Sequence, residues 1–283
     1  MDTLALDDGR LVELGDRTPG GSKNETRFGR LGEQPVVVKI QRSHGRVQEE
    51  RQALEYLISA GVRVPRVVGS GMTSSGEPIL VISREGGSFA RTPAGWRRFG
   101  RDLAALESVD VSDSPFRCVP MREFVDDHRE RLAIVRALLD AELADAIADA
   151  LRRVEGEERL ALTHGDPGTG NYLDTGDDAH PGVLLDWETA SVSPFGLDLG
   201  RAAFIGLLDL GRSGTPEDLA AAVIHGYRER SVPAAGMSTD LLNSWVAVAG
   251  LQFIHGRHLH PLVTERTPQV AASVLRARLS ATG

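Results

Sequence analysis

A chain of 283 residues with 41% apolar side chains can fill one large core or two modest ones, which excludes a disordered protein. No apolar run is long enough to span a bilayer, so a membrane-spanning role is not expected. The formal charge of -8 sits wholly in residues 88–283, which carry 28 acidic and 20 basic side chains; residues 1–87 are balanced at 12 and 12, and no basic face for nucleic acid stands out.

The acidic excess is compatible with a cationic small partner or with a merely solvated surface. Cys118 is the sole cysteine, so no internal disulfide can form, and Met1-Asp2-Thr3-Leu4 lacks the pattern of a secretory signal. Both point to a cytoplasmic protein. Thirty arginines accompany only two lysines, Lys23 and Lys39. Each lysine therefore marks a place where a compact ammonium serves and a flat guanidinium does not.

In chain order, Leu11–Leu14, Glu25–Phe28 and Pro35–Ile40 read as strands of an antiparallel meander. The turn between the first two, Pro19-Gly20-Gly21-Ser22-Lys23-Asn24, is either a phosphate-cradling loop or a plain hairpin tip. A helix follows, with Ser43 as N-cap, Gly61 as stop, and Val47, Leu54, Leu57 and Ile58 at helical spacing. Glu50 falls on its apolar face, while Lys39 interrupts a run of valines. A buried carboxylate and a buried ammonium each need a partner, and the economical solution is that they pair. Strands Arg66–Gly69 and Pro78–Ile82 complete five strands and one helix. Residues 83–87 are then the expected boundary, or hinge, between a lobe spanning 1–87 and a mainly helical one spanning 88–283.

Thr92-Pro93 opens a helix to about Val109, and Met121 to Val154 reads as one long helical stretch with Phe124, Leu132, Val135, Leu138 and Leu139 inward. Thr215-Pro216 and Thr267-Pro268 repeat the helix-start signal, and a helix over about Leu241–Gly256 lies between them. His255, His258 and His260 have the wrong spacing for a helical zinc motif. Cys118 reads as inert packing, and Trp96 and Trp245 as core.

The chemistry concentrates in Leu160–Glu188. Leu160–Leu162 and Val183–Leu185 read as two strands of a hairpin tipped by Thr175-Gly176-Asp177-Asp178, carrying Asp166, Asn171 and Asp186 into one small volume. With Lys39 and Glu50, these residues suit phosphoryl transfer from a nucleotide, which needs positioning and charge stabilisation above all. Asn171 and Asp186 offer hard oxygens suited to Mg²⁺. Asp166 can accept the proton of an attacking hydroxyl.

The order Lys39, Glu50, His164-Gly165-Asp166 with Asn171 five residues after Asp166, and Asp186-Trp187-Glu188 resembles the kinase signature set, in the form used by the aminoglycoside phosphotransferase family. Pro194-Phe195-Gly196-Leu197-Asp198-Leu199 and Gly61-Val62-Arg63-Val64-Pro65 share that look. The resemblance implies an α+β, bilobal protein-kinase-like fold with a five-stranded antiparallel sheet plus one helix and a C-terminal helical lobe. It implies Asp166 as catalytic base, Asn171 and Asp186 as magnesium ligands, and Lys39 on the phosphates, held by Glu50. Gly21, Ser22 and Lys23 would form the phosphate loop, and Ser83 to Glu85 the hinge beside the adenine. Asp198 would be structural, and Glu107 stands where many relatives have histidine. The implied activity moves the γ-phosphate of ATP or GTP to a hydroxyl of a cationic antibiotic, an aminoglycoside or a tuberactinomycin-type peptide, with no nucleic acid, membrane or protein partner. A metabolic kinase for choline, an amino alcohol or a sugar is the alternative, and a non-catalytic nucleotide-binding regulator a more distant one.

Overall fold

Alternation along Pro35–Ile40 sets the first layer: Val36, Val38 and Ile40 face one way, Val37 and Lys39 the other. In the computed structural model, which describes residues 2–18, 24–42, 46–213, 219–230, 237–259 and 266–280, this run is an inner strand of a six-stranded antiparallel sheet. Its strands are β1 (Thr3–Ala5), β2 (Leu11–Arg17), β3 (Asn24–Leu31), β4 (Gln34–Gln41), β5 (Val67–Met72) and β6 (Pro78–Ser83), ordered β1-β2-β3-β4-β6-β5. The sheet has one strand more than the sequence predicts, because three residues are too few to display alternation. Val36, Val38 and Ile40 close a small apolar cluster with Leu6, Val12, Ile79 and Val81 on one face. Lys39, in register with Leu80 and Thr26, lies on the other.

That second face is covered by α1 (Val47–Ser59), which buries Val47, Glu50, Ala53, Leu54 and Leu57. Ser43 lies outside the described residues; Arg46 holds the N-cap position and its side chain makes no capping bond. At the other end Gly61 takes φ +76°, Gly61 N–H donates to Ile58 O at 3.1 Å and Val62 N–H to Leu57 O at 2.9 Å. This is a Schellman stop, for which glycine is suited.

The helical part contains α2 (Pro93–Leu106), α3 (Met121–Val135), α4 (Ala141–Val154), α5 (Leu197–Ser213), α6 (Leu219–Arg230), α7 (Thr239–Leu259) and α8 (Arg266–Ser280). Thr92 caps α2 as predicted, its Oγ1 accepting from Gly95 N–H. The expected continuous stretch from Met121 to Val154 is broken. A 3₁₀ turn at Arg136–Leu138 ends α3, and the Asp140 carboxylate accepts from Leu143 N–H at 2.8 Å to start α4. Leu138 is consequently exposed rather than inward, and so is Cys118. Thr215-Pro216 and His260 lie outside the described residues.

Five short strands, β7 (Ser88–Phe89), β8 (Leu160–Thr163), β9 (Tyr172–Asp174), β10 (Val183–Leu184) and β11 (Ser191–Pro194), knit the two parts together. The predicted pairing of Leu160–Leu162 with Val183–Leu185 is not the one formed. β8 pairs with β11, while β10 pairs with β9 and β9 with β7. A large core, holding Trp96, Trp187 and Trp245, runs from the inner face of α1 through to α7 and α8.

Helices α2 and α6 meet backbone to backbone. A Cβ on Gly226 would lie 1.8 Å from Arg97 O, and one on Gly100 would lie 2.0 Å from Val223 O. Neither helix can step aside without opening the core, so Gly226→Ala is expected to destabilise the protein by at least about 1–3 kcal/mol, the usual overpacking range. Thermal or urea denaturation checks this; unchanged stability would show that the contact yields freely.

Candidate active site

Lys39 reaches from β4 into the space between α1 and the β10–β11 connection. Its Nζ lies 2.6 and 2.8 Å from the two Glu50 carboxylate oxygens and 2.9 Å from Asp186 Oδ1. Glu50 is fully buried and Lys39 is 7% exposed, so the pair predicted from the sequence exists. Burial works against the ammonium, but Glu50 and then Asp186 outweigh it and hold the Lys39 pKa above its ordinary value. Burial pushes the Glu50 carboxyl up while Lys39 pulls it down. Leaving either charge buried without its partner costs about 3–5 kcal/mol. Trp187 N–H adds a long bond to Glu50 Oε1 at 3.4 Å, tying α1 to the residue after Asp186.

The loop after β8 is built around two buried groups. Asp198, at the start of α5, is 0% exposed and accepts from His164 N–H at 2.6 Å and Gly165 N–H at 3.1 Å. Burial raises its pKa, against the pull of His164 and Arg201. His164 Nε2–H donates to Leu185 O at 2.7 Å, which leaves Nδ1 to accept from Asp166 N–H at 3.2 Å. Burial lowers the His164 pKa and keeps this neutral tautomer. Gly165 takes φ +83°, and a Cβ there would sit 2.4 Å from Thr189 O. Asp166 is thereby presented at the surface on a fixed backbone. Asp198 is structural, in keeping with the resemblance, and His164 has an orienting role that the motif alone did not reveal.

Asn171 closes the loop. Its Nδ2 donates to Asp166 O at 3.0 Å, and Leu185 N–H donates to Asn171 O at 2.8 Å. Asn171 is therefore one backbone bond from the residue preceding Asp186. Asp186 is the one non-glycine residue with positive φ among the described residues, at φ 64° and ψ 64°. Such a conformation costs on the order of 1–3 kcal/mol outside glycine, least for Asp and Asn. Two residues on, buried Glu188 accepts from Asn24 Nδ2 at 3.0 Å, joining the first residue of β3 to this segment.

The donor set fits magnesium. With Asn171 Nδ2 committed to Asp166 O, the amide oxygen is the atom available to a cation, and the Asp186 carboxylate offers a second oxygen donor. No group of three or more His, Cys, Asp or Glu among the described residues forms a protein-only cage. Two hard oxygens completed by phosphates and water is the pattern Mg²⁺ takes.

Comparison with known proteins decides the family. A family model described as the phosphotransferase enzyme family matches residues 17–237. The chain belongs to the phosphotransferase enzyme family. A search of curated protein sequences finds no match. Among solved structures, a thermostable mutant of aminoglycoside phosphotransferase APH(4)-Ia in its apo form aligns with TM-score 0.69 at 16% identity, covering 95% of this chain and 96% of that one. A choline/ethanolamine kinase family protein from Mesorhizobium loti gives 0.64 at 19% identity, covering 94% and 86%. Macrolide 2'-phosphotransferase MphH from Brachybacterium faecium gives 0.59 at 19%, covering 95% and 93%. Identities this low speak for the shared kinase-like fold alone.

In this phosphotransferase Gly21, Ser22 and Lys23 lie outside the described residues. Ser83 is buried, and its hydroxyl accepts from Arg66 N–H at 2.8 Å and donates to the Glu85 carboxylate. Both side chains are thus committed to the strand ends. Glu107, half-buried at the C-terminus of α2, accepts from Gly196 N–H at 3.2 Å and from the Tyr227 hydroxyl. Burial, then the nearby Asp198 charge, pushes its carboxyl well above the usual range. It clamps the turn that delivers Asp198.

Two residues that the sequence reading passed over lie near Asp166. Arg201 on α5 and Gln252 on α7 line a cavity of about 160 Å³ whose rim includes Asp166 and Pro167. Arg201 sits one helical turn beyond Asp198, a spacing that could have flagged it; Gln252 sits in an apolar helix and carries no local signal.

The three short bonds to Lys39 Nζ converge on one point. A guanidinium spreads its donors over a plane and cannot reproduce them. Lys39→Arg is expected to lower phosphate transfer by roughly 10²-fold or more, the scale of a misplaced reacting group, with the charge retained. Steady-state kinetics check it; a mutant as active as the parent would remove the geometric role of Lys39.

Proposed function

We propose that this phosphotransferase moves the γ-phosphate of a nucleoside triphosphate, ATP or GTP, to a hydroxyl of a small-molecule antibiotic. The observation that carries this reading is the convergence of the Lys39–Glu50–Asp186 node on a loop that presents Asp166 and Asn171. Asp166 lies at the cavity rim, where it can take the proton of an incoming hydroxyl. Lys39, held by Glu50, places its charge where the phosphates of a nucleotide would lie. Asn171 and Asp186 would hold Mg²⁺, which when bound supplies charge to the phosphates. The hinge is taken at residues 83–87, where β6 ends and β7 begins; with Ser83 and Glu85 side chains bound to each other, backbone groups are what remain to meet a purine there.

The likeness to a ternary complex of an aminoglycoside phosphotransferase APH(4)-Ia mutant with AMP-PNP and hygromycin B, TM-score 0.67 at 15% identity, supports both the nucleotide and the antibiotic class. A metabolic alcohol kinase is the second reading, favoured by the choline/ethanolamine kinase family neighbour. Expression in a sensitive bacterium, tested against aminoglycosides, peptide antibiotics and macrolides, separates the two: resistance to none moves the assignment to the metabolic kinase.

Asp166→Ala is expected to reduce turnover roughly 10²–10⁴-fold, the usual worth of a general base, while nucleotide affinity stays within a few-fold. A coupled assay of nucleoside diphosphate release and titration with a fluorescent nucleotide analogue measure the two quantities. Retained turnover would remove Asp166 as the base. Chelation of divalent cations is expected to stop transfer and magnesium to restore it, and Asn171→Ala is expected to raise the magnesium concentration needed. Full activity in chelator would contradict the ligand roles of Asn171 and Asp186.

A further inference from the structure

The cavity beside Asp166 lies between α5 and α7 and holds about 160 Å³, room for a benzene-sized fragment. One wall is apolar, with Pro167 next to the catalytic carboxylate and Phe204 and Phe253 edge-to-face at 5.6 Å. The other wall is Arg201 and Gln252. A second cavity, of about 340 Å³, shares these two residues and is also lined by Phe124, Asp127 and Arg131 of α3. What enters here next to Asp166 is the part of the acceptor that carries the reacting hydroxyl.

The charges around this passage are not alike in their pairing. Arg131 donates to the Asp127 carboxylate at 2.7 Å, and Arg117 is paired with Glu123. Arg201 has no carboxylate within ion-pair distance among the described residues. Its one hydrogen bond there runs from Nε to Gln252 Oε1 at 2.7 Å, so neither Nη group has an acceptor among the described residues. Arg201 is only partly exposed, and a guanidinium in that setting does not lose its proton. A planar fork with its two outer donors unpaired matches a carboxylate or a strongly accepting carbonyl oxygen. It repels an ammonium.

We propose that Arg201 selects an acceptor whose reacting hydroxyl neighbours a carboxylate or carbonyl oxygen and whose flank is apolar, rather than one that brings an ammonium to this wall. The acidic excess of residues 88–283, which suggested a cationic acceptor, is balanced here, where Asp166, Glu123 and Asp127 line the two cavities with Arg117, Arg131 and Arg201. The inference rests on the phosphotransferase reading. In the step it serves, the acceptor oxygen forms its bond to the γ-phosphorus as the bond to the departing nucleoside diphosphate breaks, and the hydroxyl proton passes to Asp166. Arg201 orients the acceptor through the neighbouring oxygen, and Phe204, Phe253 and Pro167 receive the apolar flank.

Three probes on one scaffold test this: 2-hydroxy-3-phenylpropanoate, its carboxamide, and the cationic 1-amino-3-phenylpropan-2-ol. Binding to the intact protein with Mg²⁺ and a non-hydrolysable nucleotide is read by calorimetry, so no turnover is needed. The carboxylate is expected to bind about 10-fold more tightly than the amide, and the ammonium most weakly. In Arg201→Gln the carboxylate preference is expected to vanish, and Arg201→Lys to restore part of it, with each variant checked for an unchanged melting profile. Tightest binding by the ammonium, the same order in Arg201→Gln as in the parent, or no binding of any probe at 10 mM (about the weakest range of specific association) would overturn the inference. Asp166-dependent release of nucleoside diphosphate from Mg-ATP is measured in parallel. If that persists while the charge order fails, Arg201 selectivity is wrong and the kinase reading stands; if it is absent, the kinase reading itself has failed.

Discussion

One ammonium surrounded by two carboxylates organises this molecule. Lys39 comes from the sheet, Glu50 from the helix that covers it, and Asp186 from the segment that follows β10. Three separate stretches of chain must arrive within hydrogen-bonding distance of one nitrogen, or a buried charge is left without a partner. That cost, several kcal/mol against a total stability of about 5–15, makes the folded core and the assembled site nearly the same requirement. It also accounts for a left-handed aspartate: the bond to Lys39 helps hold Asp186 in a conformation that its own backbone disfavours.

A second set of polar groups, largely buried, fixes the loop that carries Asp166 in the same way. Asp198 takes two successive backbone N–H groups, neutral His164 bridges Asp166 to Leu185, and Glu107 clamps the turn before Asp198. None of these side chains is placed to meet a substrate directly. They convert a glycine- and proline-rich loop, which would otherwise sample many conformations, into a rigid mount for one carboxylate.

Much of this is legible in the sequence. Lys39 and Glu50 could be paired because each broke an apolar pattern and each would be costly alone. The Schellman stop at Gly61 and the cap at Thr92 follow from local chemistry and stand where expected. What failed depended on distant partners. β8 and β10 are equally apolar and equally short, and nothing local tells either strand which neighbour it will find, so the predicted hairpin joined the wrong two. The break between α3 and α4 hinges on Asp140 acting as a cap inside an otherwise periodic stretch. Arg201 and Gln252 were invisible because their meaning lies in what they face across a cavity, and periodicity describes only one helix at a time.

The true strand pairing has a consequence for how such proteins can diversify. Asp166 hangs from a ladder of β8 and β11, whereas Asn171 and Asp186 flank a separate ladder of β9 and β10, and the two are stitched together by His164 and Leu185. The stretch joining β9 to β10, residues 175–182, lies beyond that stitch and is largely exposed at its tip. Insertions or deletions there alter the length of an arm without altering its shoulder. The eight residues between β8 and β9 have no such latitude, since every bond that sets the distance from Asp166 to Asn171 falls within them or closes upon them. Variation in length is therefore to be sought on one side of the stitch and constancy on the other.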